Sequence, residues 1–121
     1  MIALTLPWPV SANRNWRHVG ARTLLSREAR EYRARVVAEV LKNAPTAISG
    51  RLAVTVNAYP PDRRRRDLDN TLKVLLDALT HAGLWTDDEQ IDDLRIVRMG
   101  AEPPGAVVVR VEPYQPARAR R

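Results

Sequence analysis

The sequence predicts an α/β fold, specifically an α+β two-layer sandwich. A mixed sheet of about four strands carries two helices, in the order β-α-β-α-β-β. Three observations lead there. Two segments alternate apolar and other residues with period two, at Ile2-Leu4-Leu6 and Leu52-Val54-Val56-Ala58. Two others repeat apolar residues at helical spacing, at Ala29-Tyr32-Val36-Val40-Leu41 and Leu72-Leu75-Leu76-Leu79. The chain then closes on two more strand-like runs around a Gly/Pro turn. Helices packed on one sheet satisfy that pattern.

The first strand stops at Pro7 and Pro9. Ser11 to Leu25 reads as a polar loop containing Asn13, Arg14, Trp16, Arg17 and His18. Two readings of this loop stand side by side. In one, Trp16 tucks into the core; in the other, the loop is a lip that contacts phosphates and stacks on a base. Ser26 is a good N-cap for a helix from about Arg27 to about Lys42, with Arg30, Arg33 and Arg35 off its buried stripe. Asn43, Pro45, Ser49 and Gly50 make a turn, and Pro60-Pro61 ends the second strand.

Four arginines, Arg63 to Arg66, lead into Asp67-Leu68-Asp69. In an extended segment residues i and i+2 project to one side, so both carboxylates face one way while Leu68 points into the core. The second helix is expected from Asn70 to about Ala82, with Gly83 ending it. Asn70, Lys73 and Asp77 fall opposite its leucines, and an exposed Lys73–Asp77 ion pair is the bland reading of that arc. Ile91 and Leu94 to Met99 suggest a third strand and Ala106 to Glu112 a fourth, joined as a neighbouring hairpin by Gly100 to Gly105.

At 121 residues with 45% hydrophobic residues, the chain is one domain with a single core. We set its bounds at 1–112, with 113–121 a mobile basic tail ending Arg118-Ala-Arg120-Arg121. The net charge is +6 and arginine supplies nearly all the positive charge, since Lys42 and Lys73 are the only lysines. Such a balance favours an anionic partner, most simply nucleic acid. The absence of cysteine excludes disulfides and thiolate zinc sites and fits a cytosolic setting. The opening Met1-Ile-Ala-Leu-Thr-Leu-Pro is too short and too soon interrupted for a signal peptide or membrane span.

Against that basic background, the carboxylates crowd into one stretch: Asp62, Asp67, Asp69, Asp77, Asp87, Asp88, Glu89, Asp92 and Asp93. Like charges so close need a cation or arginines to offset them. Carboxylates beside an arginine run suit a divalent metal together with a phosphodiester. Mg²⁺ takes hard oxygen ligands and keeps several waters, so Asp67, Asp69 and one of Asp87 or Asp88 would suffice. Such an ion activates water and neutralises charge on the phosphorane and leaving oxygen. A nearby Lys73 can stabilise that charge. His18 and His81 are too far apart in sequence to suggest a ligand pair. The bland alternative makes Asp87-Asp88-Glu89 a solvated turn and pairs Asp92-Asp93 with surface arginines.

The string Arg66-Asp67-Leu68-Asp69-Asn70-x-x-Lys73-x-x-x-Asp77-Ala78-Leu79, then Gly83 and Asp87-Asp88-x-Gln90-Ile91, resembles the RusA family of Holliday junction resolvases. Asn13-Arg14-x-Trp16-Arg17 and Ser26 to Tyr32 resemble that family's opening, so the likeness runs from about Pro7 to about Met99. The resemblance implies a homodimeric, often prophage-borne, Mg²⁺-dependent endonuclease, with Mn²⁺ the alternative ion. Its substrate would be branched DNA, a four-way junction resolved by paired symmetric nicks in recombination and repair. It implies Asp67, Asp69 and Asp88 as metal-binding catalytic carboxylates, Lys73 as the essential basic residue, and Asp87 as the next metal ligand to suspect. DNA contacts are assigned to Asn13, Arg14, Trp16, Arg17, Arg63, Arg64, Arg65, Arg66 and Asn70. The expected location is cytoplasmic, at the nucleoid. Two competing functions remain at this point: a DNA-binding recombination accessory protein without catalysis, and an RNA-directed nuclease or binding module.

Overall fold

The computed structural model describes residues 1–116; the rest, including Arg118, Arg120 and Arg121 of the expected tail, lie outside the described residues. A four-stranded mixed sheet has the order β1 (Ile2–Pro7), β6 (Ala106–Pro113), β4 (Leu52–Tyr59), β5 (Ile91–Arg98). Helices α2 (Arg27–Asn43) and α3 (Leu68–Ala82) supply the second layer. A one-turn helix α1 (Ala12–Asn15) and a small hairpin, β2 (Trp16–Val19) with β3 (Arg22–Leu25), complete the order.

The alternation of β4 is expressed directly: Leu52, Val54, Val56 and Ala58 are all buried while their neighbours are half-exposed. Leu4 and Leu6 from β1 and Val107, Val109 and Val111 from β6 join them in one core with Tyr32, Val36 and Val40 of α2 and Leu75 and Leu79 of α3. Burying side chains of this size stabilises by about 1.5–3 kcal/mol each, which ties both helices to the sheet. The Ser26 hydroxyl accepts from the Ala29 N–H, capping α2. Tyr32 reaches across the core layer and donates from its hydroxyl to the Pro7 carbonyl at 2.9 Å. Gly83, at φ 83°, adopts the left-handed conformation that ends α3.

Four expectations need correction. The Ser11–Leu25 segment is ordered as α1 and a hairpin, because Gly20 (φ 61°) permits a tight turn and Trp16 to Val19 can pair with Arg22 to Leu25. Trp16 is 47% exposed and does not tuck into the core. Leu41 is 60% exposed, since it lies one step round the helix from the buried Val40.

The last strands are not hairpin neighbours either: β4 lies between them, parallel to β5 and antiparallel to β6. The connection after β5 wraps past the end of β4, where Met99 and Glu102 donate N–H groups to the carbonyls of Ala58 and Pro60. Gly105 completes the passage at φ 93°, where a Cβ would lie 2.9 Å from the Pro61 ring. Only glycine fits such an approach without a backbone shift. The β4–α3–β5 unit that results is what positions the acidic stretch.

Candidate active site

Asp67 and Asp69 are not on an extended segment. Asp67 is the N-cap of α3 and Asp69 lies in its first turn, so the start of the helix, two residues earlier than Asn70, carries both. Leu68 is only partly buried and does not enter the core. Both carboxylates are exposed; Asp69 accepts from the Asn70 N–H at 2.9 Å, and the Asp67 carbonyl takes the Thr71 hydroxyl. Carboxylates at this end of a helix are favoured by its dipole.

The second acidic group is built by Gln90. Asp87 caps a single 3-10 turn, Asp88–Gln90, and the Gln90 side chain reaches back to it. Its Oε1 accepts from the Thr86 and Asp87 N–H groups, and its Nε2 donates to the Ile48 and Gly50 carbonyls, each at 2.9–3.1 Å. One amide thus joins the turn to the loop before β4. The Asp87-x-x-Gln90 spacing is the sequence signature of this capping box.

Arg51 was missed altogether. Its guanidinium donates to both Glu89 and Asp92, holding the Asp92 carboxyl below the usual carboxylate range. Glu89 and Asp92 are therefore engaged by arginine. Asp87 and Asp88 face each other instead. Burial first, then contact with Asp87 and the nearby Asp77, raise the Asp88 carboxyl above its ordinary range, and Lys73 opposes them. Lys73 also stands 3.9 Å from Asp77, one turn along α3, so the ion pair and the proximity to Asp88 coexist.

Asp69 and Asp77 are eight residues apart on α3, about 12 Å along the axis at ~1.5 Å per residue. Lys73 sits between them. Among the described residues, no three His, Cys, Asp or Glu side chains stand where they could hold one metal ion together. Asp67, Asp69 and Asp88 are accordingly not brought to a single point within one chain. The donors nonetheless suit magnesium: they are all hard oxygens, and one or two carboxylates plus substrate phosphate commonly hold that ion. The Asp87–Asp88 contact provides such a pair.

The arginine run is partly self-engaged. Arg66 pairs with Asp62 at 2.8 Å and lies over the Trp8 ring, 5.7 Å from its centroid; its carbonyl accepts from Arg98. Arg66 and then the Arg64 N–H hold the Asp62 carboxyl below its ordinary range. Arg63 and Arg65 are exposed. A cavity of about 360 Å³ is lined by Trp8, Asn13, Arg65, Arg66, Asp67 and Asn70 among others, so four of the expected DNA contacts meet one of the expected catalytic carboxylates. Trp8, between two prolines, was not singled out in the sequence. Trp16 and Arg17 stand exposed on the β2–β3 hairpin, and Arg14 on α1 approaches Glu28 at 3.9 Å. His18 lies on β2 and His81 in the last turn of α3.

Comparisons with known proteins bear on the family. The family model described as Endodeoxyribonuclease RusA matches residues 7–112. The chain is 48% identical over 99 residues to the crossover junction endodeoxyribonuclease RusA of Escherichia coli (strain K12), covering 80% of this chain and 82% of that protein. The protein of the same name from Shigella sonnei (strain Ss046) is equally similar, with the same coverage. That of Enterobacteria phage 82 is 47% identical over 98 residues, 79% of this chain and 81% of that protein. With a family match over most of its length, and carboxylates, lysine and arginines set out along α3 and its flanks, the chain belongs to the RusA family of endodeoxyribonucleases.

Proposed function

We propose that the chain resolves four-way DNA junctions by Mg²⁺-dependent, paired symmetric hydrolysis of two opposed phosphodiesters, acting as a homodimer in the cytoplasm. The nuclease domain is residues 1–112, and the arginines beyond it add affinity for DNA. One observation carries the reading: partly desolvated Asp88 has the acidic neighbours Asp87 and Asp77, with Lys73 opposing them, in a chain of net charge +6. A binding protein would lose affinity for phosphate from that arrangement, whereas a metal-dependent nuclease needs it.

When bound, the ion supplies charge neutralisation and an activated water. Asp88, with Asp87 beside it, is one carboxylate group that would hold an ion together with substrate phosphate, and Asp67 with Asp69 at the start of α3 is the other. Lys73, between the two acidic groups, offers an ammonium to the negative charge that grows on the phosphoryl oxygens as the bond breaks. Arg63 to Arg66 and the Asn13–Arg17 segment hold the strand by its phosphates and exclude alternative registers.

Assembly follows from symmetry. An open junction has a two-fold axis and needs one nick in each of two opposed strands, and one chain offers one site. Two copies about that axis match the substrate. On a supercoiled cruciform, which reabsorbs after a single nick, a dimer gives mainly linear product in Mg²⁺ and none in EDTA. A protein that sediments as a monomer at working concentration and leaves only nicked circles refutes the resolvase reading.

A further inference from the structure

The cavity beside Asp67 has a construction that phosphate binding does not require. It opens between the Trp8–Asn13 segment and the start of α3. Its volume, about 360 Å³, lies at the low end of the ~300–1,000 Å³ typical of small-ligand pockets. That is room for one base and not for a duplex. One wall is a fixed cationic plane. The Arg66 side chain, 22% exposed, is stacked on Trp8 and tied by the Asp62 carboxylate and the Asp62 and Arg64 carbonyls. Guanidinium planes of this kind are platforms for unstacked bases. The rim carries the exposed amides of Asn13 and Asn70, each with a donor and an acceptor for a base edge. Arg65, exposed at the same rim, is suited to a flanking phosphate.

Other occupants fit less well. A free phosphate would leave most of the volume empty and face the Asp67 carboxylate. A cation would meet one carboxylate and two arginines. We infer that the cavity takes a single unstacked nucleobase next to the scissile phosphate, and that Asn13 and Asn70 read its edge and so set which sequence is cut. This rests on the proposed junction cleavage, because Asp67 places whatever enters the cavity beside the reacting phosphate.

The test uses the full chain and four-way junctions whose branch point can migrate, with the cut ends sequenced. Wild-type protein should favour one base at a fixed position from the cut. Asn13→Ala or Asn70→Ala should flatten that bias by about 5–100-fold, the range of one well-paired side chain. A bias unchanged in both variants, or none in the wild type, overturns the inference. A second arm needs no polar substitution. A junction abasic at the favoured position should be cut at least about tenfold more slowly by the wild type, whereas Ala12→Trp, which fills the cavity, should not distinguish it from the intact junction. Equal rates with the wild type overturn the inference while leaving resolution intact. If the wild type cuts no junction, the proposed function fails instead. The cavity is then read by affinity for a single-stranded oligonucleotide against its abasic copy, equal affinities counting against it.

Discussion

Replacing Gln90 with alanine removes a single neutral side chain and should disable both the stability of one loop and the chemistry of its neighbours. The amide makes four hydrogen bonds, to the N–H groups of Thr86 and Asp87 and to the carbonyls of Ile48 and Gly50. Each net hydrogen bond contributes about 0.5–1.5 kcal/mol, so full loss would total roughly 2–6 kcal/mol. Three of the four groups are reachable by water and only the bond to Ile48 is part-buried, so solvent recovers much of that. A net cost of about 2 kcal/mol is expected, which lowers Tm by roughly 6–12 °C for a domain of this size. The functional loss should exceed the folding loss, because the same amide sets the Asp87–Asp88 turn against the loop before β4. Urea denaturation gives the stability, and junction cleavage assayed well below the variant's Tm gives the activity. Gln90→Glu separates the two roles, since its carboxylate can still accept the Thr86 and Asp87 N–H groups but cannot donate to the carbonyls. An alanine variant with unchanged Tm and normal cleavage would refute the clamp.

The remaining predictions concern the site itself. Asp69→Asn keeps the acceptor for the Asn70 N–H and removes one negative charge, so it should abolish nicking while junction binding persists or tightens in a gel-shift assay. Lys73→Ala should lower the single-turnover cleavage rate by about 10²–10³ with little change in metal affinity, as the loss of one charge-stabilising donor typically does; normal cutting would reduce Lys73 to the partner of Asp77. Binding should weaken with salt, with log K falling by ~0.9 per phosphate contact on duplex arms for each tenfold rise in salt. Removing residues 117–121, with their three arginines, should flatten that slope modestly and preserve the preference for junction over duplex in competition binding.

Local signals in the sequence carried much of this. The period-two pattern of Leu52 to Ala58, the Ser26 cap and the Gly83 stop are decided within a few residues, and the structure places each as expected. What escaped was set by distant contacts or by degenerate local patterns. The pairing of β4 with both β5 and β6 depends on where the Gly100–Gly105 connection runs, and no short-range signal encodes that path. Asp67-Leu68-Asp69 has a spacing compatible with a strand edge and equally with a helix start, and the chain takes the helix start, with Asp67 at the N-cap position though its side chain makes no capping hydrogen bond. The short β2–β3 hairpin lacks apolar alternation because none of its residues is fully buried, which left only Gly20 as a clue. For the site, the residue types were legible and the supports were not. Arg51 engages carboxylates 38 and 41 positions away, a distance at which sequence gives no warning.

The placement of Asp69, Lys73 and Asp77 on one helix makes α3 a ruler. Each residue advances the chain by about 1.5 Å and turns it by about 100°, so the order carboxylate, ammonium, carboxylate along one face is fixed by counting alone. A single residue gained or lost between Asp69 and Lys73 would swing the ammonium a quarter-turn or more away and, in the same stroke, rotate Leu75 and Leu79 out of the core. Length variation in this lineage should therefore gather in the β2–β3 hairpin and beyond β6, where nothing is being measured, while the span from Asp67 to Gly83 keeps its count.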